Sequence, residues 1–235
     1  AFVSLFVFRV PFPAVIAAAA TVGLVGTRWH PDIFAIQAHG NAPAAVISDT
    51  EPLPEHARPS AARAARVLAL CLAFWIIPLV GLGAWRGTAD VLFREAVFFS
   101  KAAMVTFGGA YAVLPYVAQQ AVEQYEWLTA AQMIDGLGLA ETTPGPLIMV
   151  LQFVGFMAGW RHATDLGLTG AILGGLTATY FTFMPCFLWI FLGAPYVEQS
   201  RGNRALAGAL ATITAAVVGV VLNLAVWFGI QVLIP

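Results

Sequence analysis

From Ala96 to Ala158 an apolar sequence is broken twice, at Phe107-Gly108-Gly109 and at Thr142-Thr143-Pro144-Gly145-Pro146. Backbone that leaves a helix inside lipid has no water for its N–H and C=O groups, so it survives only where protein buries it or a water-filled cavity solvates it. Paired breaks in membrane helices mark binding or permeation sites. The feature restricts the chain to an all-α integral membrane protein, a polytopic helical bundle with two helix-break-helix hairpins built from broken or re-entrant helices.

Composition agrees. Hydrophobic residues make up 60% of the chain and charged residues 10%, with a mean hydropathy of +0.83. The lipid bilayer is therefore the first partner. A net charge of -1 supplies no basic field, so nucleic acid is not a partner. Cys71 and Cys186 each sit in an apolar run without Cys-x-x-Cys spacing, and His30, His39, His56 and His162 fall in the linker or a turn. This pattern implies no disulfide, metal or cofactor.

Three regions follow from the change of composition along the chain. Residues 1–26 read as the last transmembrane helix of a preceding membrane repeat, with the apolar run at 10–26 started by Pro11 and Pro13. Residues 27–66 hold prolines at 31, 43, 52, 54 and 59 among mixed charges, as in a hydrophilic linker. Residues 67–235 form a second membrane transport domain, opening with the clear span at 67–85. Arg28, Arg58, Arg63 and Arg66 place the linker in the cytoplasm by the positive-inside rule, against Arg86 and Arg94 at the far end of that span.

The segment 90–124 has 35 residues, about 52 Å as one helix against a hydrocarbon core of about 30 Å. It must bend back or tilt strongly. The glycine pair splits it into halves at about 91–107 and 111–124, and the Pro-Gly-Pro element splits 129–159 into halves ending near Glu141 and starting at Leu147. Apolar sequence at 166–195 forms a further span, and 205–235 suits one tilted span or two split near Asn223.

The breaks are suited to an anion. A helix starting at Gly109 or Gly145 aims unpaired amide N–H groups and the positive end of its dipole into the cavity. Thr106, Thr142 and Thr143 add hydroxyls, and Gly108 lets the backbone approach closely. Lys101, seven residues before Gly108 and on its helical face, is an intramembrane cation and thus a functional candidate by default. Glu141 sits at the second break, where it could pair with Lys101, bind a proton or neutralise an empty cavity. Tyr111 completes the candidate substrate-binding set, with packing as its alternative. Phe107, Pro115, Pro144 and Pro146 act as structural breaks. No residue is assigned a catalytic role. Gly155, Gly159, Gly170 and Gly174 form small-xxx-small pairs that serve close helix packing, and Arg161 and Asp165 read as a solvated turn.

The run FFSKAAMVTFGGAYAVLPYV, followed by EWLTAAQMIDGLGLAETTPGPLIMVLQFVGF, resembles the signature region of the chromate ion transporter family. The likeness covers about Leu92 to Tyr196, and Pro11 to Gly26 resembles the closing helix of a first domain in the tandem two-domain type. It implies the end of domain one, the linker and most of domain two. It also implies a multi-pass protein of the bacterial plasma membrane, the inner membrane in a Gram-negative cell, that exports chromate and confers resistance. The matching residues are Phe107, Gly108, Gly109, Pro115, Pro144, Gly145 and Pro146. Family members often carry Gln where Glu141 stands and fewer hydroxyls before Pro-Gly-Pro.

A dianion leaving a negative interior gains about 4.6 kcal/mol per 100 mV, so export can run on potential alone. Uptake needs cotransported cations, for which Asp135 and Glu141 are the intramembrane carboxylates expected to serve. Sulfate shares chromate's charge and shape and is the expected competitor. Uptake or exchange of sulfate or another small anion is the alternative transport function. An intramembrane enzyme lacks a Ser-Lys pair, a His cluster or paired aspartates at a usable spacing, while a purely structural subunit would leave anion flux unchanged on substitution of Gly109 or Pro144. The protein partner expected is the missing first membrane domain or a second copy in a homodimer.

Overall fold

A computed structural model describes residues 1–30, 60–106, 110–142, 147–200 and 203–233. Most of the linker, and Phe107, Gly108, Gly109, Thr143, Pro144, Gly145 and Pro146 at the breaks, lie outside the described residues. The described chain is helical: α1 (Phe2–Phe6), α2 (Phe12–Trp29), α3 (Ala61–Arg86), α4 (Val91–Met104), α5 (Ala110–Gln119), α6 (Ala130–Thr142), α7 (Val150–His162), α8 (Leu168–Ser200) and α9 (Arg204–Leu233). A π-turn at Gln120–Gln124 extends α5, and a 3-10 turn at Leu147–Met149 leads into α7.

Length sorts these helices into two kinds. With 26, 33 and 30 residues, α3, α8 and α9 are about 39–50 Å long, and α2 with 18 is about 27 Å, so all four suffice to cross a bilayer. By contrast α4, α5, α6 and α7 have 14, 10, 13 and 13 residues, about 15–21 Å each, and cannot cross alone. Expected boundaries shift modestly. The helix foreseen at 67–85 starts earlier at Ala61, and α4 stops at Met104 rather than Phe107. The final segment is one helix through Asn223, not two.

Side-chain pairings give the direction of each half-length helix. Phe98 in the middle of α4 lies 5.7 Å from Tyr116 in the middle of α5, and Tyr125 and Trp127, beyond the end of α5, return to Phe98 at 5.5 and 5.4 Å. Gly136 of α6 has the Phe153 ring of α7 directly over it, and Gln132 near the start of α6 accepts from Arg161 near the end of α7 at 3.4 Å. Each pair is therefore antiparallel. The first segment bends back rather than tilting through.

The open ends of both hairpins meet on one face. His162 Nε2 lies 3.2 Å from the Glu126 carbonyl oxygen. Arg86, at the end of α3, donates through Nη1 and Nη2 to the two Asp165 oxygens at 2.6 and 2.8 Å, and through Nε to Asp90 at 3.0 Å. Asp90 in turn caps α4 by accepting from the Leu92 amide at 2.9 Å. The turn at Asp165 is thus tied to the α3–α4 corner, where sequence suggested only a solvated turn. Trp227, late in α9, donates to Glu123 at 3.0 Å on this same face. The described ends of the linker and the start of α9 occupy the opposite face, since Ser60 and, in α3, Arg63 and Ala64 adjoin Phe191, Pro195 and Tyr196 of α8, and Gly23 of α2 abuts Gly208 of α9.

Packing follows the small residues. A Cβ on Gly155 would stand 2.6 Å from the Gly174 carbonyl oxygen, and one on Gly159 or Gly174 would collide with the Gly170 or Gly155 carbonyl. The α7–α8 seam is thus a backbone-to-backbone contact of the small-xxx-small kind. Around it lies the main core, with Leu92, Phe99, Val113, Leu114, Val117, Met133, Val154 and Phe181 all but fully buried. A smaller cluster of Phe12, Ile16, Ile213 and Val220 joins α2 to α9. Trp75 of α3 donates to the buried Ser100 of α4 at 2.8 Å, which makes Trp75 a packing residue.

Candidate functional site

The hairpin tips fall between Met104 and Ala110 and between Thr142 and Leu147. At about 21 Å from the face where it enters, α4 reaches roughly half the length of α3. Residues Leu147–Met149, immediately past the second tip, pack against α5, which begins immediately past the first. Each break is thus followed by a helix N-terminus, at Ala110 and at Leu147. Each N-terminus leaves several amide N–H groups without an intrahelical partner and carries about half a positive charge. The α1–α2 elbow lies near these elements, since Leu5, Val105 and Tyr116 all pack against the cluster that holds Phe12, and the Phe12 and Tyr116 rings lie 6.1 Å apart.

The candidate side chains distribute as follows. Thr106 is half-buried and donates its hydroxyl to the Ala102 carbonyl at 2.6 Å. Thr142 is exposed and donates to the Gly138 and Leu139 carbonyls, both at 3.1 Å. These hydroxyls complete the last turns of α4 and α6, so each must rotate away from its carbonyl before it can donate to an anion. Lys101 and Glu141 are both exposed on the described surface, as is Asp135. Pro115 is buried within α5, where it leaves a helical carbonyl without its usual donor. The backbone of Tyr111 lies in the first turn of α5. Gly108, Gly109, Thr143 and Gly145 lie outside the described residues.

One carboxylate was missed. Besides Asp135 and Glu141, α4 holds Glu95, which is fully buried and has no hydrogen-bond partner for either oxygen among the described residues. Helical spacing carries the signal: Leu92, Glu95, Ala96 and Phe99 share one face, and every one of them is 0% exposed. Reading Arg94 as an interface charge draws attention from its neighbour, although Arg94 alone is exposed.

Residues 93–235 match the family model described as Chromate transporter, which is well over half of the chain. The chain belongs to the chromate transporter family. A chromate transport protein of Cupriavidus metallidurans is 32% identical over 151 residues, covering 63% of this chain and 35% of the relative. One from Pseudomonas aeruginosa is 34% identical over 162 residues, covering 67% and 35%. An uncharacterized transporter of Methanocaldococcus jannaschii is 25% identical over 141 residues, covering 60% and 32%. The chain spans about a third of the length of these curated relatives. No solved structure matches. The family assignment agrees with the resemblance carried by the Phe-Gly-Gly and Pro-Gly-Pro elements, and the long apolar helices fit a multi-pass membrane protein.

Proposed function

We propose that this chain is the second membrane domain of a transporter that exports chromate across the bacterial plasma membrane and so confers resistance. Residues 1–26 are the last helix of a first membrane domain, 27–66 a cytoplasmic linker, and 67–235 the transport domain. The observation that carries this reading is the packing of the Leu147–Met149 turn, which follows the second break, against α5, which follows the first. The names of the relatives add the substrate.

In this reading Gly108, Gly109 and Gly145 let backbone amides approach the oxyanion, and Thr106, Tyr111, Thr142 and Thr143 donate to it. Lys101 supplies a countercharge and Glu141 balances the cavity when empty. Phe107, Pro115, Pro144 and Pro146 hold the breaks. The chemistry asked of these residues is binding and release, with no bond made to the anion, and neither cofactor nor enzyme activity enters it. Sulfate competes because donors alone separate two tetrahedral dianions only weakly. The first membrane domain or a second copy of the chain completes the transport path.

The test is chromate flux into inverted membrane vesicles carrying the full-length transporter, under an imposed potential, with sulfate as competitor. Wild type accumulates chromate, Lys101→Ala loses most of the flux, and sulfate reduces it. Flux no higher than in empty vesicles overturns the chromate assignment in favour of another small anion.

A further inference from the structure

Glu95 has no part in the anion site as argued above, yet among the described residues it is the buried side chain whose polar atoms lack a hydrogen-bond partner. Both oxygens are buried, neither has a hydrogen-bond partner among the described residues, and the face it shares is otherwise Leu92, Ala96 and Phe99. An ionised carboxylate held this way costs several kcal/mol. A structural role is a poor explanation, because a buried polar group retained for structure is normally satisfied. The remaining explanation is a bound species that removes the charge.

The surroundings select which species. A metal cation requires several oxygen ligands around it, and among the described residues no hydrogen-bonding group reaches Glu95. Among the described residues, no titratable side chain on a helix packed against α4 makes a hydrogen bond to Glu95. On α4 itself Asp90 pairs with Arg86, and Arg94 and Lys101 are exposed. The others are Cys71 and Arg86 on α3, Tyr116 on α5, Arg161 and His162 on α7, and Tyr180 and Cys186 on α8, and none of them makes a hydrogen bond to Glu95. Arg63, Arg66 and Tyr196 belong to the linker end of α3 and α8. A proton needs no further ligand.

Resting on the transport reading above, we propose that Glu95 is a proton-binding site that couples chromate movement to proton movement. In the conformation described here, the carboxyl holds a proton taken from bulk water. When α4 shifts against α8 during transport, water reaches the carboxyl, which releases that proton as hydronium. One proton binds and leaves per cycle, and no bond to the anion is made or broken. Glu95 is a coupling residue, so its loss separates proton movement from anion binding.

The experiment uses the full-length transporter in proteoliposomes with a pH-sensitive dye inside and chromate followed separately. Wild type is expected to move protons with chromate. Glu95→Gln keeps the shape of a neutral carboxyl, and is expected to retain chromate exchange within about twofold while net proton movement falls at least about tenfold. Glu95→Asp restores proton movement with an altered pH profile, which a merely structural role would not produce. Proton movement equal to wild type in Glu95→Gln, or chromate flux in wild type without proton movement, overturns the proposal. Infrared difference spectra across pH keep the two readings apart. A neutral-carboxyl band present in wild type and absent in Glu95→Gln supports a protonated Glu95 even if chromate is not the substrate, and its absence from wild type overturns the site whatever the flux.

Discussion

Tyr180 of α8 donates its hydroxyl to the carbonyl oxygen of Phe74 in α3. That carbonyl is the one Pro78 leaves without a helical donor, since Pro78 stands four residues on and has no N–H. A proline inside a membrane helix is tolerated when a neighbour satisfies the freed carbonyl, and here the neighbour can be named.

Tyr180→Phe should cost about 1 kcal/mol of stability in detergent, read from the unfolding midpoint. Pro78→Ala returns the missing N–H to α3, so Tyr180→Phe placed in that background should cost clearly less. Equal costs in the two backgrounds would show that the hydroxyl does not serve the proline.

The glycines of the α7–α8 seam and those facing open space should behave oppositely. Gly174→Ala puts a Cβ into the Gly155 carbonyl and should lose about 1–3 kcal/mol, with lower folded yield. Gly138→Ala and Gly193→Ala meet nothing within 4 Å and should stay within about 0.5 kcal/mol of wild type. Size-exclusion yield and melting temperature of the three variants test this directly.

The fork from Arg86 holds the Asp165 carboxyl below the usual carboxylate range, chiefly through its hydrogen bond. A carboxylate depressed in the folded state adds stability that is complete above its unfolded value of about 3.9 and is lost as pH falls through the lower folded value. Asp165→Asn should therefore lower the melting temperature at neutral pH and flatten its decline in acid. A curve parallel to wild type down through that acid range would contradict the pairing.

Thr106→Val removes a hydroxyl that donates to its own helix. Stability should change by no more than about 0.5 kcal/mol. If that hydroxyl turns to the oxyanion during transport, the KM for chromate should rise severalfold with little change in kcat, and unchanged flux kinetics would take Thr106 out of the site.

How much the sequence disclosed depended on the range of each interaction. Long apolar runs announced α3, α8 and α9, and glycine and proline marked where α4 and α6 end, because both signals are local. That Gly155, Gly159, Gly170 and Gly174 serve close helix packing was also legible from their spacing, although it took the structure to show that the two pairs face each other. Direction was not. Nothing local says that Phe98 meets Tyr116 or that Arg161 returns to Gln132, and those contacts are what turn two broken segments into hairpins. The Arg86–Asp165 pair joins positions 79 residues apart and was read as a solvated turn for the same reason. Glu95 was hidden differently, by lying next to an exposed arginine on a helix whose periodicity had already placed it inside.

Because both hairpins enter and leave by one face, the chain divides by the order in which it can be made. The long helices α3, α8 and α9 are each of a length to be stable in lipid as they emerge, whereas helices of 10–14 residues are too short to be. They pack against α3, α8 and α9, two of which are synthesised after them. The segment from 91 to 162 must therefore wait at the membrane surface and fold inward last, so a ribosome stalled before α8 would leave it exposed to quality-control proteases.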